Sequence, residues 1–199
     1  IPVQKAYCTD RGFDACVMAQ QVLGGHGYVA EWGLEQNVRD ARIAQIYEGA
    51  NGVQALDLMG RKTVRANGEL LALLSEEMDA FVASQAGVPA MQSYLVSLAT
   101  CRKVLSDATG FVIESAASNP EEIGAASYAY MELMGLTLYC FMWQRILAAA
   151  LADKGGDNAE YLDGLVKVGE FFLARQVPRV HSLLAEIEAG SESLMAMAA

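Results

Sequence analysis

The sequence predicts an all-α protein built as an antiparallel helical bundle. Good helix formers such as Ala, Leu and Met are frequent, whereas the 199 residues include only four prolines. Apolar residues recur at the three- and four-residue spacing of a helix face over long segments. Since helix formers dominate and breakers are few, helices packed against one another are the expected architecture. The hydrophobic fraction of 53% is enough for one sizeable core or two small ones.

The first predicted helix covers residues 3–23. The glycine pair Gly24 and Gly25 ends it, because glycine readily adopts the left-handed conformation that closes many helices. The stretch GGHGYVAEWG then predicts a loop over residues 24–33. Glycines in such a loop let backbone amides approach a flat or anionic ligand closely. The loop follows a helix and not a strand, which argues against a dinucleotide-binding βαβ unit.

Two further helices complete the N-terminal part. Residues 34–43 form a short one, supported by a charged pair four positions apart. The next begins at Asn51, which is predicted to be its N-cap. Gln54, three residues on, completes the pattern of a capping box. This helix is predicted to end near Gly60.

The rest of the chain is predicted to add a bundle of about four helices. The first covers residues 67–87 and is amphipathic. The second begins at Val88 and Pro89. Its apolar residues follow one face at helical spacing: Met91, Leu95, Leu98, Leu105 and Val112.

The third helix of this bundle begins in the N-P-E-E sequence of residues 119–122, with Asn as N-cap and Pro in the first turn. It runs to about Lys154, and its middle contains an uncharged stretch of eleven residues, LMGLTLYCFMW. Such a stretch is too short to span a bilayer, so a buried core helix is expected. The fourth helix starts near Asn158, is kinked or broken at Pro178 and ends near Gly190, before a loose tail.

Charge and cysteine usage exclude several classes of partner. The net charge of −10 argues against nucleic acid and anionic membranes, which are themselves negatively charged. With no Cys-x-x-Cys pair and only two histidines, no metal site is expected. Cysteines on apolar helical faces are typical of buried thiols in a reducing compartment, which predicts a cytoplasmic protein. The cysteines are Cys8, Cys16, Cys101 and Cys140.

One carboxylate has a position that suits a catalytic base. In the sequence IAQIYEGANGVQA, Glu48 stands between Tyr47 and Gly49, just before a predicted helix start. Burial beside apolar neighbours would raise the pKa of Glu48 and make it a usable base near neutral pH. Gly49 would leave room for a substrate against the backbone, and the helix beginning at Asn51 offers free amides. A glutamate in a solvated loop is the alternative interpretation.

Three motifs occur in order between Gln20 and Lys62. They are Q-V-L-G-G-x-G-Y from Gln21, R-D-A-R-I from Arg39, and I-Y-E-G from Ile46, which a helix start follows. Together they resemble the C-terminal signature of the flavin-dependent acyl-CoA dehydrogenases. The agreement in order and spacing makes the combination far more specific than any single motif.

The resemblance implies FAD as the cofactor and an acyl-CoA thioester as the substrate. Glu48 would be the base that removes the α proton, while the β hydride passes to flavin N5 and a trans-2-enoyl-CoA forms. Gly49 would touch the substrate, and Tyr47 would line its pocket. The implied FAD contacts lie in two turns: Gln21, Gly24, Gly25, Ala50, Asn51 and Gly52.

The family also implies a homo-oligomer, because a neighbouring subunit binds most of the cofactor. It further implies an electron-transfer flavoprotein as the acceptor of the electrons. Ala50 departs from the family, which often has threonine there, so a hydroxyl contact to flavin would be lost. Family members usually end soon after the signature. The long helical extension resembles the subgroup that includes the methylmercaptopropionyl-CoA dehydrogenases.

The resemblance suggests how the chain is divided. Residues 1–62 are interpreted as the end of an acyl-CoA dehydrogenase helical domain, and residues 63–199 as an additional C-terminal bundle. The N-terminal helical domain and the middle β domain of the family do not fit upstream of Ile1. We therefore expect a C-terminal fragment that is inactive alone.

Two alternatives belong to other classes of function. The chain could be a non-catalytic helical module for oligomerisation or interaction, for which Glu48 would have no role. It could also derive from a flavin monooxygenase on the same fold. Such an enzyme does not need the base, so the intact I-Y-E-G sequence disfavours it.

Overall fold

A computed structural model describes residues 1–153 and 158–197 of the chain. This part consists of helices and turns with no β-strand, which confirms the all-α prediction. Short 3₁₀ turns lie at Ala30–Trp32 and Pro89–Met91, and a π-helical segment at Asp57–Val64. The α-helices are α1 (Pro2–Val22), α2 (Gly25–Tyr28), α3 (Leu34–Ile46), α4 (Asn51–Leu56), α5 (Glu69–Ser84), α6 (Gln92–Ser118), α7 (Glu121–Ala152), α8 (Ala159–Arg175), α9 (Arg179–Glu188) and α10 (Glu192–Met195).

Helix α7 lies at the centre of the bundle. Sixteen of its 32 residues are buried, including every residue from 129 to 137. A helix that is apolar around its whole circumference needs other helices on all sides. Helices α1, α4, α6, α8 and α9 pack against α7 and meet this need. The prediction of a buried core helix is therefore confirmed.

The same helix could cross a membrane if only its length and composition are considered. An 18-residue window of α7 has a mean hydropathy of 1.3. In the structure 56% of that window is buried inside the protein. The apolar faces of α7 are thus covered by neighbouring helices, as in the core helix of a bundle.

The first two predicted helices, α1 and α3, both form, with changes at their ends. Helix α1 ends at Val22, and Gly24 follows with a positive φ of +56°, a conformation that favours glycine. The predicted loop over residues 24–33 contains the short helix α2 and a 3₁₀ turn. Helix α3 continues to Ile46, three residues beyond its predicted end.

The helix after the I-Y-E-G sequence does not end near Gly60, contrary to the prediction. Helix α4 continues into the π-helical segment, which extends the helical backbone to Val64. In this segment the N–H of Arg65 donates to the carbonyl oxygen of Gly60 at 3.0 Å, five residues back. The hydroxyl of Thr63 similarly donates to the carbonyl oxygen of Leu58 at 3.0 Å. Glycine alone was therefore not sufficient to end this helix.

The later helices agree closely with their start and stop signals. Helix α7 starts at Glu121, so its N-cap is Pro120 and not the predicted Asn119, although the Glu121 N–H donates to the Asn119 side-chain oxygen at 3.2 Å. Pro178 separates α8 from α9, as expected. The tail predicted to be loose forms the short helix α10, and Glu122 accepts hydrogen bonds from the N–H and hydroxyl of Ser191 at 3.1 and 2.6 Å. The predicted end at Lys154 lies outside the described residues.

The cysteines are all free thiols, but only half of them are in the core. Cys101 and Cys140 are buried, as expected for thiols on apolar faces. Cys16 is half-buried and Cys8 is exposed, so the expectation of burial was wrong for these two. Helix α1, which carries both, has one side open to solvent.

Helices from both predicted parts of the chain share one hydrophobic core. The cluster contains Ala6 and Met59 from the first part together with Tyr130, Leu133 and Val180 from the second. Side chains therefore pack continuously across the predicted division. The division at residues 62 and 63 stays a prediction.

Helix α1 approaches α7 closely at one glycine. A Cβ atom added to Gly135 would lie 2.3 Å from Cγ of Tyr7, so the Tyr7 ring rests directly on the backbone of α7. One turn further along α1, the Arg11 guanidinium contacts the buried carboxylate of Glu132 at 3.3 Å. Close apolar packing and an ion pair thus hold the two helices together.

We expect Gly135→Ala to destabilise the protein by about 1–3 kcal/mol or more, because the new methyl group overlaps the Tyr7 ring. Gly124→Ala on the same helix is the matched control. Nothing lies within 4 Å of its added Cβ, so it should stabilise by up to about 1 kcal/mol through helix propensity. Urea unfolding followed by circular dichroism measures both. Equal stability of the two variants would contradict the close α1–α7 contact.

Glu132 should make stability depend on pH. Burial raises the pKa of Glu132 above its ordinary value of 4.5, and the nearby Arg11 charge opposes this only in part. Between 4.5 and the raised value, the folded protein holds a proton that the unfolded chain releases. The free energy of unfolding therefore falls as the pH rises through this window.

Glu132→Gln cannot titrate, so the wild type should lose stability relative to this variant as the pH rises above 4.5, and then reach a plateau. Urea unfolding across the acidic range measures the difference. Glu114→Gln, an exposed position on α6, is the control and should show no such trend. A pH-independent difference between wild type and Glu132→Gln would contradict the expectation.

Candidate active site

Most of the predicted site residues lie in two exposed segments at opposite ends of α3, whereas Asn51 and Gly52 are the first two residues of α4 and Asn51 is buried. Tyr47, Glu48, Gly49 and Ala50 form the turn between α3 and α4, called here the glutamate turn. The other turn joins α1 to α2 and is called the glycine turn. It is taken to include Gln21 from the last turn of α1, Gly24 between the helices and Gly25, the first residue of α2, all of them exposed.

The two turns are not brought together. Helix α3 has 13 residues, which at 1.5 Å per residue separates its ends by about 20 Å. It packs along α1, with the glutamate turn beside the N-terminal half of α1 and the glycine turn at the C-terminal end. A ligand that contacts both turns in one chain would have to extend along α3.

The backbone of the glutamate turn is held in an unusual conformation. Glu48 has a φ of +54° and Gly49 a φ of +83°. A non-glycine residue in the left-handed region is uncommon and costs about 1–3 kcal/mol unless its surroundings enforce it. Side chains bind both carbonyl groups here. The Gln54 amide donates to the Glu48 oxygen at 3.2 Å, and the Lys5 ammonium donates to the Gly49 oxygen at 2.9 Å.

The expected burial of Glu48 is wrong for this chain. Glu48 is exposed, and so are the large apolar residues nearest to it in the sequence. Ile46 and Tyr47 are each 50% exposed, and Val53 is 60% exposed. Apolar residues do surround Glu48 along the chain, but they face outward with it and do not cover it. The desolvation that a base needs must come from another protein surface or from the substrate.

The predicted capping box is also wrong. Asn51 is the first residue of α4, Ala50 occupies the N-cap position, and neither makes a side-chain cap. The Asn51 side chain is instead buried against α1. It donates to the carbonyl oxygen of Ala6 at 3.2 Å, and its oxygen accepts from the Lys5 ammonium at 2.6 Å. Gln54 bonds the carbonyl of Glu48, as described above, and so takes no part in a cap.

A buried carboxylate, Asp10, lies behind Asn51 and joins four helices. One of its oxygens accepts from the side-chain amides of Asn51 and Gln45, each at 2.6 Å. Its other oxygen accepts from the hydroxyl of Tyr128 on α7. Burial and this bond to Asp10 hold the pKa of Tyr128 well above its ordinary value. Helices α1, α3, α4 and α7 thus meet at one carboxylate.

Sequence patterns did not indicate this set of residues. Lys5 lies 46 positions before Asn51, and Asp10 lies 118 positions before Tyr128. No motif connects residues so far apart. Nothing in the sequence near Asn51 or Gln45 marked either residue as a partner of Asp10.

The glycine turn combines an open face with a tightly packed one. Nothing lies within 4 Å of a Cβ added to Gly24 or Gly25, so their backbone faces open space. Gly27, the third glycine of the motif, is buried. A Cβ there would lie 2.2 Å from the carbonyl oxygen of Gln20. The first two glycines therefore leave room for a ligand, whereas the third allows α2 to fold back onto α1.

The described residues contain no group of three or more His, Cys, Asp or Glu side chains that could hold a metal ion. His26 packs edge-on against the Trp32 ring, with centroids 5.3 Å apart. The candidate chemistry therefore rests on the glutamate turn and on the exposed backbone of the glycine turn.

Two family models match this chain. Residues 1–62 match the model described as acyl-CoA dehydrogenase, C-terminal domain. Residues 74–198 match the model described as acetyl-CoA dehydrogenase C-terminal like. Together the two matches identify a C-terminal helical region of the acyl-CoA dehydrogenase type. The chain belongs to the acyl-CoA dehydrogenase family.

Curated relatives agree with this assignment over nearly the whole chain. It is 33% identical to the 3-methylmercaptopropionyl-CoA dehydrogenase of Ruegeria pomeroyi, over 89% of this chain and 30% of the relative. It is 30% identical to a broad-specificity linear acyl-CoA dehydrogenase of Mycobacterium tuberculosis, over 98% of this chain and 34% of the relative. A butyryl-CoA dehydrogenase of Syntrophomonas wolfei is 27% identical, over 99% of this chain and 33% of the relative. The chain therefore spans about a third of the length of these relatives.

We expect Gly27→Ala to destabilise the chain by about 1–3 kcal/mol, because its methyl group would overlap the backbone of α1. Gly25→Ala is the control, since its added Cβ meets nothing within 4 Å and should change stability by less than about 0.5 kcal/mol. Urea unfolding measures both changes, and limited proteolysis between residues 20 and 33 shows whether the turn opens. An unaffected Gly27→Ala protein would contradict the tight packing of α2.

Proposed function

We propose that this chain supplies the catalytic base and part of the FAD site of a longer acyl-CoA dehydrogenase. The observation that carries the proposal is the glutamate turn. It presents one exposed carboxylate, Glu48, on a backbone held by Lys5 and Gln54. The relatives named above are all dehydrogenases of acyl-CoA thioesters, which supports the same reaction here.

The proposed reaction needs a base close to the α carbon of a thioester. The carboxylate of Glu48 takes the α proton, so the Cα–H bond breaks and its electron pair forms the new Cα=Cβ bond. FAD, when bound, supplies the acceptor for the hydride that leaves the β carbon. A proton α to a thioester is only weakly acidic, so Glu48 needs a water-excluded site and correct orientation at the substrate.

The residues of both turns fit contacts with FAD in different ways. Gly24 and Gly25 offer an open backbone that a flat or anionic group can approach, whereas Gln21, at the end of α1, offers an exposed side chain. At the glutamate turn, Ala50 has no hydroxyl and the Asn51 side chain faces inward. We therefore assign the cofactor contacts of Ala50, Asn51 and Gly52 to their backbone atoms.

The substrate class follows from the shared part of the relatives' names. Those names differ in the acyl group, which is methylmercaptopropionyl, linear acyl or butyryl, and agree in CoA. We propose an acyl-CoA substrate whose thioester lies beside Gly49, with Tyr47 lining the pocket. Tyr47 is half-exposed, so its ring is available to a ligand on this side.

The proposed setting of the longer enzyme follows the family. We propose a homo-oligomer in the cytoplasm that passes electrons to an electron-transfer flavoprotein. Four free thiols support a reducing compartment, and the acidic net charge of −10 does not favour nucleic acid as a partner. The chain alone is proposed to be inactive, because it leaves Glu48 uncovered.

The test uses the full-length protein with bound FAD, mixed anaerobically with a panel of acyl-CoA thioesters. At least one thioester should bleach the flavin absorbance of the wild type. Glu48→Gln should bleach about 10²- to 10⁴-fold more slowly, the usual contribution of a general base. Glu114→Gln, an exposed residue on α6, should behave as the wild type.

Other outcomes favour the alternatives. If Glu48→Gln bleaches as fast as the wild type, Glu48 is not the base. If no thioester reduces the flavin but NADH or NADPH does, the monooxygenase interpretation gains support. A full-length protein that binds no flavin would favour a helical interaction module.

A further inference from the structure

The left-handed turn at Glu48 is fixed from outside by two side chains. The backbone carbonyls of Glu48 and Gly49 accept from Gln54 at 3.2 Å and from Lys5 at 2.9 Å. Lys5 comes from α1, which lies beside the turn but is far from it in sequence. The conformation of the turn therefore depends on how α1 is placed against α4.

Lys5 is itself held in position by Asn51. Its ammonium donates to the Asn51 side-chain oxygen at 2.6 Å. The amide of Asn51 has no freedom to turn over. Its nitrogen faces three acceptors, the carbonyl of Ala6, the hydroxyl of Thr9 and the carboxylate of Asp10, at 3.2, 2.9 and 2.6 Å. A flipped amide would place its oxygen against the Asp10 carboxylate and its NH₂ against the Lys5 ammonium.

The anchor of this chain of hydrogen bonds lies in the core. Asp10 is 6% exposed and accepts from Gln45 on α3 and Tyr128 on α7 in addition to Asn51. Lys5 and Asp10 carry opposite charges at the two ends of the Asn51 amide. Charged partners strengthen the hydrogen bonds of the amide between them. The exposed turn is thus connected through three side chains to the most buried helix.

We propose that Lys5, held by Asn51 and Asp10, is a positioning residue that sets the direction of the Glu48 carboxylate. This inference rests on the proposed function, in which Glu48 is the base. Lys5 acts through the backbone of Gly49 and does not touch the substrate. Because Glu48 is exposed and otherwise free to rotate, a fixed backbone is what restricts the space its carboxylate samples.

The test has a structural readout and a kinetic one. Lys5→Met keeps the length of the side chain but removes the donor to Gly49. In the 199-residue chain, backbone NMR should give order parameters near about 0.85 for Glu48 and Gly49, falling below about 0.6 in Lys5→Met. In the full-length enzyme, flavin bleaching at saturating acyl-CoA should slow by about 10- to 100-fold, as expected for a misplaced base, while the dissociation constant of the thioester stays within about twofold.

Three further variants make the outcome specific. Lys5→Arg retains a cationic donor and should restore most of the bleaching rate. Lys103→Met removes an exposed lysine on α6 that pairs with Asp107 at 2.6 Å, and should leave both readouts unchanged. Gln54→Met removes the other donor to the turn and should also lower the order parameters. It provides an independent test if Lys5→Met fails to fold, which circular dichroism checks.

The positioning role is rejected if Lys5→Met leaves the order parameters unchanged, or if they fall and the saturated rate does not. It is also rejected if Lys5→Met weakens only thioester binding. Failure of the proposed function looks different, since Glu48→Gln would then bleach as fast as wild type. An inactive Glu48→Gln enzyme beside a fully active Lys5→Met enzyme rejects only the positioning role.

Discussion

The contact between Tyr7 and Gly135 determines where α1 can lie, and α1 carries most of what holds the candidate site. The Tyr7 ring rests on the backbone of α7 at Gly135, which has no side chain to keep the ring away. Any larger residue at position 135 would push α1 outward. Lys5 and Asp10, which flank Tyr7 on the same helix, would then move away from Asn51 and Tyr128. The geometry of an exposed turn thus depends on a contact inside the core.

Burying Asp10 is unfavourable unless its carboxylate is fully hydrogen-bonded. Asn51, Gln45 and Tyr128 satisfy it with three donors from three different helices. Each donor comes from a separate segment, so the arrangement exists only when all these helices are packed. A cluster of this kind adds little to stability compared with apolar residues of similar size. What it does provide is one defined arrangement of α1, α3, α4 and α7, and with it one conformation of the glutamate turn.

The sequence was sufficient for the long helices and not for the surroundings of the site. Apolar periodicity predicted the buried face of α6 and the core helix α7, because each such face is encoded within one segment. The break at Pro178 has an equally local cause. The predicted capping box does not form because α1 packs beside Asn51. The Asn51 side chain hydrogen-bonds Ala6 and Asp10 of α1 instead of the backbone of its own helix. Those partners lie 41–45 residues away, and no local rule includes them.

The exposure of Glu48 was also not predictable from its neighbours in the sequence, and it matters for the proposed function. Its neighbours along the chain are apolar, and this predicted burial, but residues on an exposed turn have sequence neighbours that face solvent with them. Water solvates a carboxylate in that position. For the proposed proton transfer, other protein surface or the substrate itself must exclude that water, and the half-exposed Ile46, Tyr47 and Val53 provide an apolar surface for such a contact. Direction and desolvation are therefore separate requirements for the proposed base. The hydrogen bonds from Lys5 and Gln54 act on the first, and only a contact that covers Glu48 can meet the second.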